Sequence, residues 1–412
     1  MNAVIRGREL LLRYALVCVA MLVCYATGVR PFLSGMKAHG NDFDYLTKGV
    51  KTLAADGPYH YQLGMMYPPG ALAVFYPLRS ISLHTAAMLN LLLGLVLCGA
   101  GVWMLGRFLP DTRKEPRRFL LIVMALLWAP LLAGMHSDNV SVPLIGMLLL
   151  LCSDELLRTT WATGLLLGLT LAVKPQLGIF FLLFLAVRRR WAAAAIAVSV
   201  AACLTLCGVV LIWQVEPHWM ADYAETQRYF NGPGQWGDVT YGAPRRYVLL
   251  NLQVALYPWI RSVAASRNLG LAVAGVLIAV WIAIDLRVRR RNDRLALAAL
   301  LPIALVAVFQ QFYNGALLLV CLSSVLMLRR SRAVWTVFAL LAMFVVRPAP
   351  LFERLPERFL DGRVASPLWN SLGVGFSACL TLAVVTAMLW LYWRWSVGEE
   401  GFLPPPDEQA SA

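Results

Sequence analysis

Charged side chains are scarce: Asp, Glu, Lys and Arg make up 14% of the 412 residues. Soluble domains carry about 25%, so the shortage excludes an ordinary water-facing surface. Apolar residues reach 60%, against roughly 45–50% in soluble chains. They recur in runs near the ~20-residue length that spans a bilayer, which makes lipid the expected solvent. Acids are rarer still, 22 Asp and Glu against 36 Lys and Arg, for a net charge of +14. In a soluble protein that excess would point to nucleic acid. Here the basic residues sit in short clusters between apolar runs, with no continuous basic face. The positive-inside rule accounts for them, and no nucleic-acid partner is expected.

Other absences narrow the class. None of the eight cysteines falls in a long polar loop, which excludes a disulfide framework. Cys203 and Cys207 lie one helical turn apart, without the His or Cys partners that zinc spacing needs, and read as small packing residues. The N-terminal run from Leu10 to about Thr27 follows Arg6 and Arg8 but lacks a clear small-residue cleavage site. It reads as a retained first helix.

The periodicity predicts an all-α polytopic membrane protein of about twelve spans, at 10–28, 84–106, 119–134, 140–156, 160–173, 176–187, 191–213, 269–286, 295–309, 314–328, 333–346 and 370–393. Several are short: either they tilt little, or they extend into flanking polar residues, or a pair such as 160–173 and 176–187 forms a broken or shallow hairpin. With the N-terminus inside, the basic clusters at Arg107–Arg118, Arg188–Arg190, Arg287–Arg294, Arg329–Arg332 and Arg394 all fall on the cytoplasmic side. Residues 1–397 then form one membrane domain, and 398–412 a disordered cytoplasmic tail. Three long segments, 29–83, 214–268 and 347–369, fall outside and hold most of the extramembrane acids, histidines and aromatics. The cytoplasmic loops are short and contain no nucleotide-binding glycine loop. Chemistry is therefore expected on the outer face, without ATP or a nucleotide sugar.

In the first outer loop, Asp44–Ala55 has the spacing of a short amphipathic helix, with Leu46, Val50 and Leu53 on one face and Asp42 just ahead as a candidate N-cap. Tyr67-Pro68-Pro69 forces an extended turn, and Gly70–Ile81 follows as an interfacial helix. Lys174 stands in an otherwise apolar stretch. A cation at membrane depth is costly, so it either snorkels or pairs structurally, or it binds an anionic substrate. Asp138, between His136 and Asn139, is a second acid, a metal ligand or a cap for the next helix. The second outer loop gathers Tyr223, Tyr229, Phe230, Trp236, Tyr241, Arg245, Arg246 and Tyr247, either as a sugar-binding patch or as an interfacial belt.

Three groups in order, Asp42-Phe43, Gly57-Pro58-Tyr59 and Tyr67-Pro68-Pro69, together with Ala172-Val173-Lys174-Pro175-Gln176 ending in Arg188-Arg189-Arg190-Trp191, resemble glycosyltransferase family 87. The patch Gln310-Gln311-Phe312-Tyr313-Asn314 is a weaker third match. His136-Ser137-Asp138-Asn139 replaces the family's frequent Gly-Gln-Asn-like turn, and Gln310 and Gln311 stand where a histidine or acid is common.

The resemblance implies a GT-C-like bundle in the bacterial plasma membrane. It implies a polyprenyl-phosphate sugar donor (mannose favoured), a glycolipid or envelope-glycan acceptor, and inverting transfer. The phosphate leaves readily, so the chemistry needs one base at the acceptor hydroxyl and cationic groups on the phosphate. By analogy Asp42 is the base, with Asp44 and Asp138 as rival acids. Lys174, Arg245 and Arg246 take the phosphate, and Tyr67, His136, Gln310, Gln311 and Tyr313 contact substrate. No cofactor is assigned. A divalent ion beside Asp42 is an open alternative that one Asp and one His do not establish. The competing class is a transporter or flippase of a lipid-linked sugar, disfavoured because no internal repeat is visible.

Overall fold

The computed structural model describes residues 2–35, 42–53, 57–59, 65–107, 109, 116–235, 237–241, 243, 246–288, 292–307, 310–328, 331–346 and 366–397. The described chain is helical, and its only extended pairing is an isolated bridge between Leu249 and Gln311. In chain order the principal helices are α1 (Asn2–Cys24), α2 (Asp42–Thr52), α3 (Pro69–Phe75), α4 (Leu83–Gly106), α5 (Arg117–Leu126), α6 (Ala129–His136), α7 (Ser141–Leu151) and α8 (Thr160–Val173). There follow α9 (Pro175–Val187), α10 (Trp191–Trp213), α11 (Trp219–Phe230), α12 (Val263–Arg287), α13 (Asp293–Ala307), α14 (Leu319–Met327), α15 (Arg332–Val346) and α16 (Phe376–Ser396).

Among the described residues, six stretches are long and apolar enough to cross a bilayer: Leu11–Ser34, Leu83–Gly106, Arg117–His136, Trp191–Trp213, Val263–Arg287 and Phe376–Ser396. Their outward faces are apolar, as with Leu206 and Val210 on α10 and Val276 on α12. Only lipid makes so large a greasy surface stable. Cys203 and Cys207 also face outward on α10, rather than packing inside as their spacing suggested. The expected spans at 140–156, 160–173 and 176–187 appear as the shorter α7, α8 and α9. At 1.5 Å per residue, α8 and α9 are each about 20 Å long, short of the ~30 Å hydrocarbon core. They fold back on each other, with Gly178 of α9 against Leu167 and Leu171 of α8, as the expected shallow hairpin.

At the centre lies α13, buried all round from Arg294 to Val306. A helix apolar on every face belongs in the interior. It is too short to cross alone, and its last carbonyls need partners. The 246–252 segment supplies one: Leu252 N–H donates to Val306 O at 3.1 Å, and just beyond the helix Leu250 N–H donates to Gln310 O at 2.8 Å.

The basic turns gather at one end of the bundle. Arg188 at the end of α9 pairs with Asp285 of α12 at 2.7 Å, and Arg190 with Asp293 of α13 at 2.5 Å. Arg294 donates to Leu105 O at the end of α4, and Arg117 to Leu326 O at the end of α14. Shared sidedness of these clusters, read from the alternation of charge, is therefore a property of the fold.

Between the first two long spans, α2 buries Leu46 and Val50, and Leu53 just after it is buried as well, as the spacing predicts. Each such side chain is worth roughly 1.5–3 kcal/mol against exposure. The helix starts at Asp42 itself rather than after it. It is tied to the next element by an edge-to-face contact of Phe43 with Phe75, centroids 5.6 Å apart.

Candidate active site around Lys174

The Lys174-Pro175 pair builds the tip of the α8–α9 hairpin. Proline disfavours helix at the residue before it, and Lys174 is extended there (φ −140°, ψ 80°), with Pro175 opening α9 where its missing N–H costs nothing. The break aims the lysine into protein, and it is only 7% exposed. Its Nζ donates to Asn139 Oδ1 at 3.0 Å and to Ser141 Oγ at 2.5 Å. The rings of Tyr67 and Tyr313 flank the ammonium, their centroids 5.5 and 5.3 Å away. At that range each ring face attracts the cation. Snorkelling is thereby excluded for Lys174.

Each partner arrives by a local device. The α6–α7 turn places Asn139 and Ser141, and Asp138 in that turn adopts a left-handed backbone (φ 49°). Among non-glycine residues Asp and Asn tolerate this region best. Asp138 is not the cap of α7: the Asn139 carboxamide accepts from Ser141 N–H at 2.8 Å, while Asp138 Oδ1 accepts from Asn90 of α4 at 2.8 Å. Asp138 is 1% exposed, so the structure gives it a buried place beside the lysine's partners. Tyr313 approaches because Gly134 has no side chain, a Cβ there lying 3.3 Å from Tyr313 Cβ.

Tyr67 is held by Tyr59 and by α11. Tyr59 hydroxyl donates to Tyr67 O at 3.0 Å, Gln227 Nε2 of α11 donates to Met66 O at 2.9 Å, and Thr226 hydroxyl donates to Tyr59 O at 2.7 Å. Tyr59 packs edge-on to Tyr223 at 4.9 Å. Burial pushes the Tyr59 phenol above its ordinary value, with Tyr223 and Glu216 adding to it, so it stays a donor. Gly57-Pro58-Tyr59 is thus a joint between the Tyr67 segment and α11. Beside it the Glu216 carboxyl is pushed up to about 7 by burial. A hydrogen bond from the Tyr59 backbone opposes the rise, and Asp222 adds like-charge repulsion and a shared hydrogen bond.

The remaining candidates are placed as follows. His136 is exposed on the outside of its turn and does not join the lysine. Arg246 is buried and engaged elsewhere, donating to Asn370 and lying 5.1 Å from the Tyr241 ring centroid. Gln310 is fully buried, accepts from Asn314, and with Gln311 forms the strut against Leu249 and Leu250. Asp44 is half-buried on α2. Asp42 opens α2, and its side chain lies outside the described residues, as do Arg245, Trp236, His39, His60 and all of 347–365. Among the described residues no three His, Cys, Asp or Glu side chains gather as metal ligands would. Asn139 and Ser141 escaped the sequence reading. The available signal was indirect: a buried lysine needs polar partners, and the turn beside Asp138 is among the few polar points between apolar helices.

A polytopic helical membrane protein with a buried lysine clamped between tyrosines is the class that fold and site define. The chain belongs to glycosyltransferase family 87, whose sequence model matches residues 66–310. That stretch contains Tyr67, Asp138, Asn139, Ser141, Lys174 and Gln310. Asp42 lies before it and Tyr313 just after. Over 203 residues the chain is 29% identical to the polyprenol-phosphate-mannose-dependent alpha-(1-2)-phosphatidylinositol mannoside mannosyltransferase of Mycobacterium tuberculosis, covering 46% of this chain and 44% of that one. Over 177 residues it is 30% identical to the polyprenol-phosphate-mannose-dependent alpha-(1-2)-phosphatidylinositol pentamannoside mannosyltransferase of Mycolicibacterium smegmatis, covering 43% and 40%. The match spans less than half the length of each curated relative.

Proposed function

We propose that this protein is a membrane glycosyltransferase that moves a sugar, mannose favoured, from a polyprenyl-phosphate donor to a hydroxyl of a glycolipid or envelope glycan. The observation that carries the reading is the buried Lys174 ammonium between Tyr67 and Tyr313, inside or beside the family-matched stretch. The names of the two mannosyltransferases support the donor and the glycolipid class of acceptor. In this reading the Lys174 charge stabilises the departing lipid phosphate, and the tyrosine rings offer faces to the sugar. The acceptor oxygen bonds to the anomeric carbon as the bond to the phosphate oxygen breaks. The hydroxyl proton passes to Asp42, and the anomeric configuration inverts. The Lys174 end of the bundle then faces the periplasm, and the basic end, with both termini, faces the cytoplasm.

The test incubates purified protein with radiolabelled polyprenyl-phosphate-mannose and a membrane glycolipid extract, comparing wild type with Asp42→Asn. Transfer by wild type, reduced about 100-fold or more in a variant that folds and still binds donor, is the expected result for loss of a general base. Equal transfer by both proteins removes Asp42 from the role and passes it to Asp44 or Asp138.

A further inference from the structure

The end of the bundle away from Lys174 holds a second polar feature. A cavity of about 340 Å³ opens there, lined by Leu157, Arg158, Arg188, Arg190, Asn292 and Asp293. Since α9 runs from Pro175 to Val187, about 20 Å separates it from the lysine. It is therefore no extension of the candidate active site.

Its charges do not cancel. Arg188 is matched by Asp285 at 2.7 Å, and Arg190 by Asp293 at 2.5 Å. Asp293 also lies 3.6 Å from Arg188, and Tyr392 hydroxyl donates to Asp285 at 2.5 Å. Two arginines thus stand against two carboxylates, each acid already facing a cation. Arg158 is the surplus: it lines the same cavity, is exposed, and makes no hydrogen bond or ion pair among the described residues. An anion entering the cavity meets a net positive wall whose acids are turned to their partners.

The depth of the cavity indicates the source of the anion. Trp161 and Trp191 begin α8 and α10, within three residues of Arg158 and Arg190, and are 66% and 62% exposed. Tryptophans exposed at the ends of apolar helices sit at headgroup level. The arginines beside them are at the depth of lipid phosphates, and basic pockets between helix ends suit anionic headgroups.

We propose that this cavity binds the phosphate of an anionic membrane lipid. Arg158 is its principal contact, and Arg190 and Asn292 stand beside it as donors. The cavity gathers the ends of α9 and α13 and borders the Arg188–Asp285 ion pair to α12 and the Tyr392 hydrogen bond from α16, so occupancy braces four helices from one point. The inference is independent of the reaction proposed for the opposite end.

The experiment follows thermal unfolding of the purified full chain in neutral detergent by tryptophan fluorescence. It titrates dioctanoyl-phosphatidylglycerol, dioctanoyl-phosphatidylcholine or inorganic phosphate at constant ionic strength. Phosphatidylglycerol is expected to raise the midpoint saturably, and phosphatidylcholine to leave it in place. Arg158→Gln is expected to raise the half-saturating phosphatidylglycerol concentration about five-fold, the effect of one interfacial arginine, while Arg158→Lys keeps most of the response. Arg158 has no partner to lose, so both variants should fold. Equal responses to the two lipids, or an Arg158→Gln titration that overlays wild type, overturns the proposal. Inorganic phosphate that stabilises through Arg158 as strongly as phosphatidylglycerol overturns the lipid as source and leaves a site for a soluble anion.

Discussion

Lys174 is a cation held out of water, and such a group persists only where its charge is answered. Here Asn139, Ser141 and two aromatic faces answer it. Replacing Lys174 with Met keeps the stem and removes the charge. Transfer should fall about 10²- to 10³-fold, the usual effect of removing one preorganised charge-stabilising group. Arg is not a rescue, because its planar fork does not fit the niche of a compact ammonium. The measurement is kcat and KM for the lipid-phosphate donor, with a thermal melt to establish folding. A Lys174→Met protein that transfers at the wild-type rate removes the lysine from the chemistry. The importance of this residue was legible from its apolar surroundings alone. Tyr67 and Tyr313 were named from the motifs, but Asn139 and Ser141 were not, and nothing local ties any of the four to the lysine, because they lie scattered along the chain.

At the scale of elements, the site depends on how closely α3 approaches α10. Gly208 of α10 lies directly beneath the carbonyl of Pro69, and a Cβ there would collide with it. That carbonyl belongs to the first residue of α3, two residues beyond Tyr67. Gly208→Ala should therefore push α3 outward, lower stability by about 1–3 kcal/mol as overpacking does, and move Tyr67 off Lys174. Thermal melting and transfer rate should fall together. A variant with a normal melt and normal transfer shows that α3 does not need the close approach. The Tyr-Pro-Pro turn and the helix after it were readable from proline chemistry. The glycine that receives them was not, because its role comes from a helix well over a hundred residues away.

At the scale of the molecule, two segments 167 residues apart in sequence are docked where Thr226 meets Tyr59, and Glu216 sits in that joint. Its folded-state pKa is about 7, against roughly 4.3 for an unperturbed glutamate. The folded joint thus holds its proton more tightly than the open one. The contribution is fully present below about pH 4.3 and is lost as pH rises through about 7. Amides of α11, corrected for intrinsic exchange, should be better protected from hydrogen exchange at pH 5 than at pH 8. Glu216→Gln should remove most of that difference. A pH dependence unchanged in the variant places the titrating group elsewhere.

Apolar run length and the spacing of basic clusters determined, from the sequence alone, that the chain is helical, lives in lipid and gathers the basic turns between its helices at one end. These are local properties, fixed by what a bilayer demands of any backbone and any charge. The short motifs carried the family, and the Lys-Pro pair carried the hairpin tip. Only the tertiary structure decided that Asn139 rather than Asp138 accepts from the first N–H of α7, that His136 stays exposed, and that Arg246 turns to Asn370. It also decided that Gln310 braces the central helix instead of standing with Tyr313 beside Lys174. Those outcomes depend on which side chains meet across long separations, and close packing of the whole bundle sets that, not the propensity of any segment.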